Sequence, residues 1–357
     1  MARIELDLAH AYKVNPLRDE DYALLPLKMT FNDGGAYALL GPSGCGKTTM
    51  LNIISGLVKP SHGTVKFDGE DVTALLPQQR NIAQVFQFPV IYDTMTVAEN
   101  LAFPLKNRGV SPQKIKARVG KIAEMLEMSG QLNMRAAGLA ADAKQKISLG
   151  RGLVREDVRA VLFDEPLTVI DPHLKWQLRR KLKQIHSELK LTFVYVTHDQ
   201  VEALTFADQV VVMTRGRAVQ IGSASDLFER PQHTFVGHFI GSPGMNFLPA
   251  KKTSTTLEIT GQRIKSNWVT PDLDQFTLGI RPEYVTLTDA SDAGAVQAVV
   301  TQTQDVGTYW LITSTVSGHT LRARVATHQP IPKLGETVHI AVLNTHTCFY
   351  NNEVLIA

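Results

Sequence analysis

Eight residues constrain this chain more than any other stretch: Gly41-Pro42-Ser43-Gly44-Cys45-Gly46-Lys47-Thr48. They follow the apolar, strand-like run Ala36 to Leu40 and precede Thr49 to Leu57, which reads as a helix. Glycines between a strand and a helix let backbone N–H groups turn inward, and the helix adds its positive N-terminal end. Such a turn suits phosphate oxygens. Lys47 is placed to bridge β- and γ-phosphates, and the Thr48 hydroxyl to ligate magnesium. Taken without its setting, the run is a glycine turn with a surface lysine.

A second apolar run, Val161-Leu162-Phe163-Asp164-Glu165, delivers two carboxylates at its end. The order assigns Asp164 to the shell of a magnesium ion and Glu165, one residue further, to the attacking water as general base. Adjacent acids at a strand end can also simply start a helix; the phosphate-type loop upstream favours the chemical role.

Short β-branched runs alternate with longer helical ones up to about residue 235, the pattern of a parallel sheet with crossover helices. Ala36 to Leu40, Ala160 to Phe163 and Thr192 to Thr197 read as strands; Pro112 to Met128 and Leu174 to Leu189 read as flanking helices. The alternation in Met1 to Asp7 reads as an edge strand. After the Gly241-Ser242-Pro243-Gly244 turn the texture changes to Thr- and Val-rich short strands: Thr255 to Thr260, Phe276 to Ile280, Val296 to Val300, Trp310 to Val316 and Thr337 to Leu343. The expected class is α/β, with a phosphate-loop domain at 1–240, a helical subdomain at about 90–155, and a small β-barrel at 241–357.

Charge and composition close off other classes. Lys+Arg 37 against Asp+Glu 34 is too balanced to argue for nucleic acid. The N-terminus lacks an apolar signal region, so no export is expected, and no apolar run approaches the ~20 residues that span a bilayer. Cys45 and Cys348 lie far apart, which disfavours a structural disulfide. The eleven histidines show no paired metal-ligand spacing, and all but His198 read as surface or core residues.

The order of these motifs resembles the ABC ATPases, over essentially the full length the sugar-importer type, with a RecA-like P-loop NTPase core and a C-terminal OB-like (TOBE/MOP-type) regulatory barrel. The resemblance implies ATP and Mg2+ as cofactors. It implies a catalytic role for Gln87, in Gln84-Val85-Phe86-Gln87-Phe88-Pro89, as the residue that contacts magnesium and water and couples to membrane subunits. His198, in Val196-Thr197-His198-Asp199, matches the histidine that contacts the γ-phosphate, and Asp171, in Thr168-Val169-Ile170-Asp171, matches an aspartate that communicates across an ATPase dimer; helix capping is its plainer role. Tyr12 matches the aromatic on which adenine stacks, alongside the phosphate-loop residues Gly41 to Thr49; an apparent insertion, Asn15 to Tyr22, leaves Tyr22 as a rival. Pro89, Val90, Ile91 and Tyr92 line a groove for a partner helix or belong to the core. Gly279-Ile280-Arg281-Pro282-Glu283 matches a turn of the C-terminal domain.

One family element is missing. The segment that closes the opposite subunit's site, Leu-Ser-Gly-Gly-Gln in the family, falls here on Leu139-Ala140-Ala141-Asp142-Ala143. The hydroxyl and both glycines are gone, and Asp142 is expected to cap its own helix and repel phosphate. An asymmetric heterodimer follows as the expectation, in which this chain pairs with a second, non-identical ATPase. Asn81 to Asp93, Asp164 to His173 and Gly241 to Phe247 are similar to the T-type ATPases of bacterial glycerol importers. That resemblance implies glycerol as cargo, two membrane permeases, a solute-binding protein, no nucleic acid, and a peripheral place on the cytoplasmic face of the inner membrane. A homodimer moving a sugar or glycerol phosphate, a non-transport ABC or P-loop protein, and a module that no longer hydrolyses ATP stand as alternatives.

Overall fold

The computed structural model describes residues 2–168, 170–253, 256–264, 271–292 and 294–356. Val169 and Thr255, which fall within expected elements, lie outside them. The chain divides into two units, Met1–Ala224 and Ser225–Ala357.

Among the described residues of the first unit, ten strands form two sheets. Four make an antiparallel sheet, β1 (Ile4–His10), β2 (Leu24–Phe31), β4 (His62–Phe67) and β5 (Glu70–Asp71), in the order β2-β1-β4-β5. The other six are β3 (Ala36–Leu40), β6 (Ile82–Val85), β7 (Ala160–Asp164), β8 (Thr192–Thr197), β9 (Gln209–Thr214) and β10 (Arg217–Gly222), in the order β10-β9-β3-β8-β7-β6. All but the β9–β10 pair are parallel. The near-continuous burial of β3, β7 and β8 is what a sheet covered on both faces demands. The N-terminal strand corrects the edge assignment: β1 pairs with both β2 and β4. Its alternation reports one covered face, with Ile4, Leu6 and Leu8 buried and Asp7 exposed, and alternation carries no information about lateral neighbours.

Six helices flank these sheets: α1 (Lys47–Ser55), α2 (Val97–Lys106), α3 (Pro112–Met125), α4 (Ala141–Leu153), α5 (Pro172–Leu189) and α6 (Gln200–Phe206). α3 stops three residues before Met128, because Leu126 caps it and Glu127 turns into the left-handed region at φ 58°. α2, α3 and α4 pack on one another within the stretch expected as a helical subdomain. Two arginines, Arg80 buried and Arg118 partly buried, fix helix C-termini. Arg80, 1% exposed, donates to the carbonyls of Ile53, Ile54, Thr73 and Leu75, and Arg118 donates to those of Leu153 and Val154. Each supplies donors that the last helical carbonyls lack.

The second unit carries two antiparallel sheets, of six and five strands, over one apolar core that includes Leu248, Leu278, Val296, Ile312 and Ile340. This is the expected barrel-like domain. Its longest strand, Ala295–Asp305, exceeds the expected Val296 to Val300 because its far half pairs with Tyr309–Val316 while exposing polar residues. Arg281, from the expected turn, is 1% exposed and donates to the carbonyls of Leu227, Phe228, Gly237 and Ile240, binding two short helices, Ala224–Glu229 and Thr234–Phe239, to the sheets.

Candidate functional site

The C-terminal ends of β3, β8, β7 and β6, neighbours in that order, each lead into a segment singled out in the sequence. That edge of a parallel sheet is where α/β folds gather ligand-binding groups. β3 leads into Gly41, whose added Cβ would lie 2.2 Å from the Met213 carbonyl oxygen. Gly44 and Gly46 take φ of 79° and 102°, a region costly for other residues. Pro42, Ser43 and Gly44 are exposed, Cys45 is buried, and burial pushes its thiol pKa up. α1 opens at Lys47 with no side chain capping its first turn, which leaves its N–H groups facing outward. Lys47 is 5% exposed; its Nζ donates to the carbonyls of Gly41 at 2.7 Å and Pro42 at 3.0 Å.

Thr48 Oγ1 donates to Asp164 Oδ1 at 3.1 Å, joining residues 116 apart in sequence. Burial, with the Glu165 charge beside it, pushes the Asp164 carboxyl up, while the Thr48 bond acts the other way. A hydroxyl and a carboxylate that meet at a phosphate-type loop are hard oxygen donors of the kind magnesium takes, so the residues fit that ion. Glu165 sits at φ 45°, held by its N–H to the Val196 carbonyl at 3.0 Å and by the Thr168 N–H on its own carbonyl. A non-glycine residue in that region stores strain. Glu165 Oε2 meets His198 Nδ1 at 2.9 Å and accepts from Thr168 Oγ1 at 3.2 Å.

His198 is steadied from behind by a network that motif reading missed. Buried Glu202 accepts from Tyr195 OH and Thr197 Oγ1, and Thr197 Oγ1 accepts the Asp199 N–H. A buried carboxylate on a short helix after the β8 strand is the signal that could have revealed it.

Gln87, after β6, makes no side-chain hydrogen bond among the described residues, so the structure does not join it to Thr48 or Asp164. The segment around it is exposed rather than core: Phe86 39%, Phe88 67%, Val90 53% and Tyr92 40%. It is held by Arg151, over the Tyr92 ring at 4.8 Å and bonded to the Val90 carbonyl, and by fully buried Asn100, which bonds both N–H and C=O of Tyr92. Asp171 caps α5, accepting the His173 N–H at 2.9 Å. Tyr12 is 65% exposed, and its hydroxyl lies 3.3 Å from Thr49 Oγ1 on α1, which brings it to the phosphate-type loop. Tyr22 closes the inserted segment, which is tied by Asp21 to Lys13 Nζ and the N–H groups of Leu17 and Arg18, bonds that pull the Asp21 pKa down to about 2.

Leu139 to Ala143 needs a correction. The N-cap of α4 is Ala140, and Asp142 lies inside the first turn with no hydrogen bond among the described residues. Its carboxylate therefore leaves the helix donors open, because at that position it is past the capping site. What remains of the expected defect is its negative charge and the lost hydroxyl and glycines.

Comparison with known proteins follows the same division. Residues 24–168 match the ABC transporter family and residues 278–349 the TOBE domain. The chain is 38% identical over 328 residues to the sn-glycerol-3-phosphate import ATP-binding protein UgpC of Escherichia coli (strain K12), covering 90% of this chain and 91% of that protein. The protein of the same name from Burkholderia pseudomallei (strain 1710b) is 38% identical over 340 residues, covering 92% and 93%. Among solved structures, cbiO1 from Clostridium perfringens, part of the ABC transporter complex cbiONQ, superimposes with a TM-score of 0.58 at 24% identity, over 64% of this chain and 90% of that one. The ADP conformation of MJ1267, an ATP-binding cassette of an ABC transporter, gives 0.55 at 24% identity, over 66% and 98%. Both share the fold.

Proposed function

The chain belongs to the ABC transporter ATPases of the importer type, and from that premise we propose that it hydrolyses ATP to drive uptake of glycerol or a glycerol phosphate. One observation carries the chemical part: the ends of adjacent strands β7 and β8 join Thr48 to Asp164 and Glu165 to His198 by hydrogen bonds of 3.1 and 2.9 Å beside the phosphate-type loop. In this reading Lys47 turns from the Gly41 and Pro42 carbonyls onto the β- and γ-phosphates. Thr48 and Asp164, with Gln87 brought in as the segment after β6 closes, would hold magnesium, which neutralises phosphate charge when bound. Glu165 takes a proton from the attacking water. Its Oε2 carries both recorded bonds, so Oε1 is the oxygen left to accept that water. His198 fixes the carboxylate and reaches the γ-phosphate, Asp171 relays across the dimer, and Tyr12 stacks on adenine.

Glu165→Gln keeps the shape and removes the base. In the assembled transporter it should cut ATP turnover by about 10²- to 10⁴-fold while ATP still binds. Unchanged turnover would exclude Glu165 as the base.

Cargo rests on the names of the relatives and on resemblance to glycerol-importer ATPases. The chain works through two membrane permeases and a solute-binding protein, at the cytoplasmic face of the inner membrane. No helix of the described residues is long and apolar enough to cross a membrane. Uptake of labelled glycerol and of labelled glycerol 3-phosphate, with and without the chain, separates the two cargoes; loss of neither would discard both.

A second reading concerns pairing. The relatives give no support for a second, non-identical ATPase, so asymmetry rests on Leu139 to Ala143 alone. A chain that cannot offer phosphate a serine and two glycines completes a partner's site poorly. Purified chain turning over ATP strongly and cooperatively by itself would establish the homodimer instead.

A further inference from the structure

His10 lies beside the site and no role described above uses it. It is the last residue of β1 and is 6% exposed, while Tyr12, two residues on, is 65% exposed. The two rings meet edge to face, with centroids 4.6 Å apart and planes at 87°. His10 Nδ1 lies 3.2 Å from Ser61 Oγ, and Ser61 Oγ also accepts from the Ala11 N–H at 3.1 Å and donates to the Ala11 carbonyl at 3.0 Å. A hydroxyl has one hydrogen. With it on Ala11, Nδ1 of His10 is the donor and Nε2 carries the bare lone pair. Nε2 is buried and has no partner among the described residues.

This arrangement is expensive for simple packing, since an aliphatic residue would fill the space without an unpaired buried nitrogen. What the imidazole adds is a flat, polarised ring against Tyr12, on a backbone pinned at Ala11 by Ser61. The Tyr12 hydroxyl is held at its other end by Thr49 Oγ1 at 3.3 Å. An exposed tyrosine otherwise samples several rotamers and must be ordered when a base stacks on it.

We propose that His10 is a positioning residue for nucleotide binding, holding Tyr12 through the edge-to-face contact as a preformed platform for the adenine ring. This rests on the reading of Tyr12 as that platform. Burial lowers the His10 pKa, in keeping with a neutral ring at this place.

The test is equilibrium binding to the full chain of ATP and, by competition, of inorganic tripolyphosphate, which meets the phosphate-type loop and has no base. His10→Leu should weaken ATP by about three- to tenfold, the worth of an aromatic pair, and leave tripolyphosphate unchanged. His10→Phe, which keeps a ring edge, should bind ATP close to the wild-type value. Tyr12→Ala should weaken ATP at least as much as His10→Leu. Unchanged ATP affinity in His10→Leu, with Tyr12→Ala impaired, overturns the role of His10 and spares the platform. Equal weakening of ATP and tripolyphosphate by His10→Leu overturns it too, because the residue then acts on the fold at large. Unchanged affinity in Tyr12→Ala overturns platform and positioning together.

Discussion

Helices α1 and α4 share an arginine at one end and an absent side-chain cap at the other, and differ in the sign of the charge in the first turn. Each is clamped at its C-terminus by an arginine, Arg80 or Arg118, and each opens without a side-chain cap, at Gly46 or Ala140. α1 places Lys47 in its first turn and no acid; α4 places Asp142 there. A bare helix N-terminus attracts anions, so the first-turn residue decides whether that attraction is strengthened or cancelled. The α1 end suits an anion. The α4 end shares the absent cap but carries a charge that opposes one.

The largest effect is expected at the two arginines. Arg80→Met removes four hydrogen bonds to carbonyls, of which only Ile53 keeps another donor among the described residues, the Gly56 N–H, and should cost about 3 kcal/mol of stability, read as a lower Tm or denaturant midpoint. Arg118→Met removes two such bonds and should cost less, about 1–2 kcal/mol. Equal losses would mean that the two clamps are not graded by the carbonyls they serve.

A smaller effect sharpens the contrast at the N-termini. Replacing Ala140, Ala141 and Asp142 with Ser, Gly and Gly should raise turnover in the site that α4 is proposed to complete by about tenfold, since the donors are already open and only the charge and small groups need restoring. No gain would place the defect outside this segment.

The smallest effect concerns Asp164, the carboxylate that accepts from Thr48 of α1. Its folded-state pKa is raised above the ordinary 3.8, so the folded chain holds its proton more tightly than the unfolded chain does. The group's contribution is therefore most favourable below 3.8 and declines as pH rises from there through the raised value. Asp164→Asn should remove that decline and slightly raise the Tm of the nucleotide-free chain at neutral pH, a gain that solvent screening keeps small, while lowering ATP turnover. A lower Tm for Asp164→Asn would show that its charge is compensated in the fold.

The parallel core, the barrel-like second unit, the phosphate-type loop and the acid pair at the end of β7 were legible in the sequence, as was the departure of Leu139 to Ala143 from the family's segment. These are local properties: a glycine pattern, the two-residue period of a strand, or a missing hydroxyl can be read within a few neighbours. Tertiary structure alone decided that Glu165 meets His198, that Asp164 meets Thr48, that β1 is internal to its sheet and that His10 stands under Tyr12. It also decided that Asp142 leaves its helix uncapped, since the capping position depends on where the chain first turns helical. Such contacts join residues up to 116 positions apart or depend on which strand lies beside which, and neither distance nor lateral order is written in side-chain periodicity.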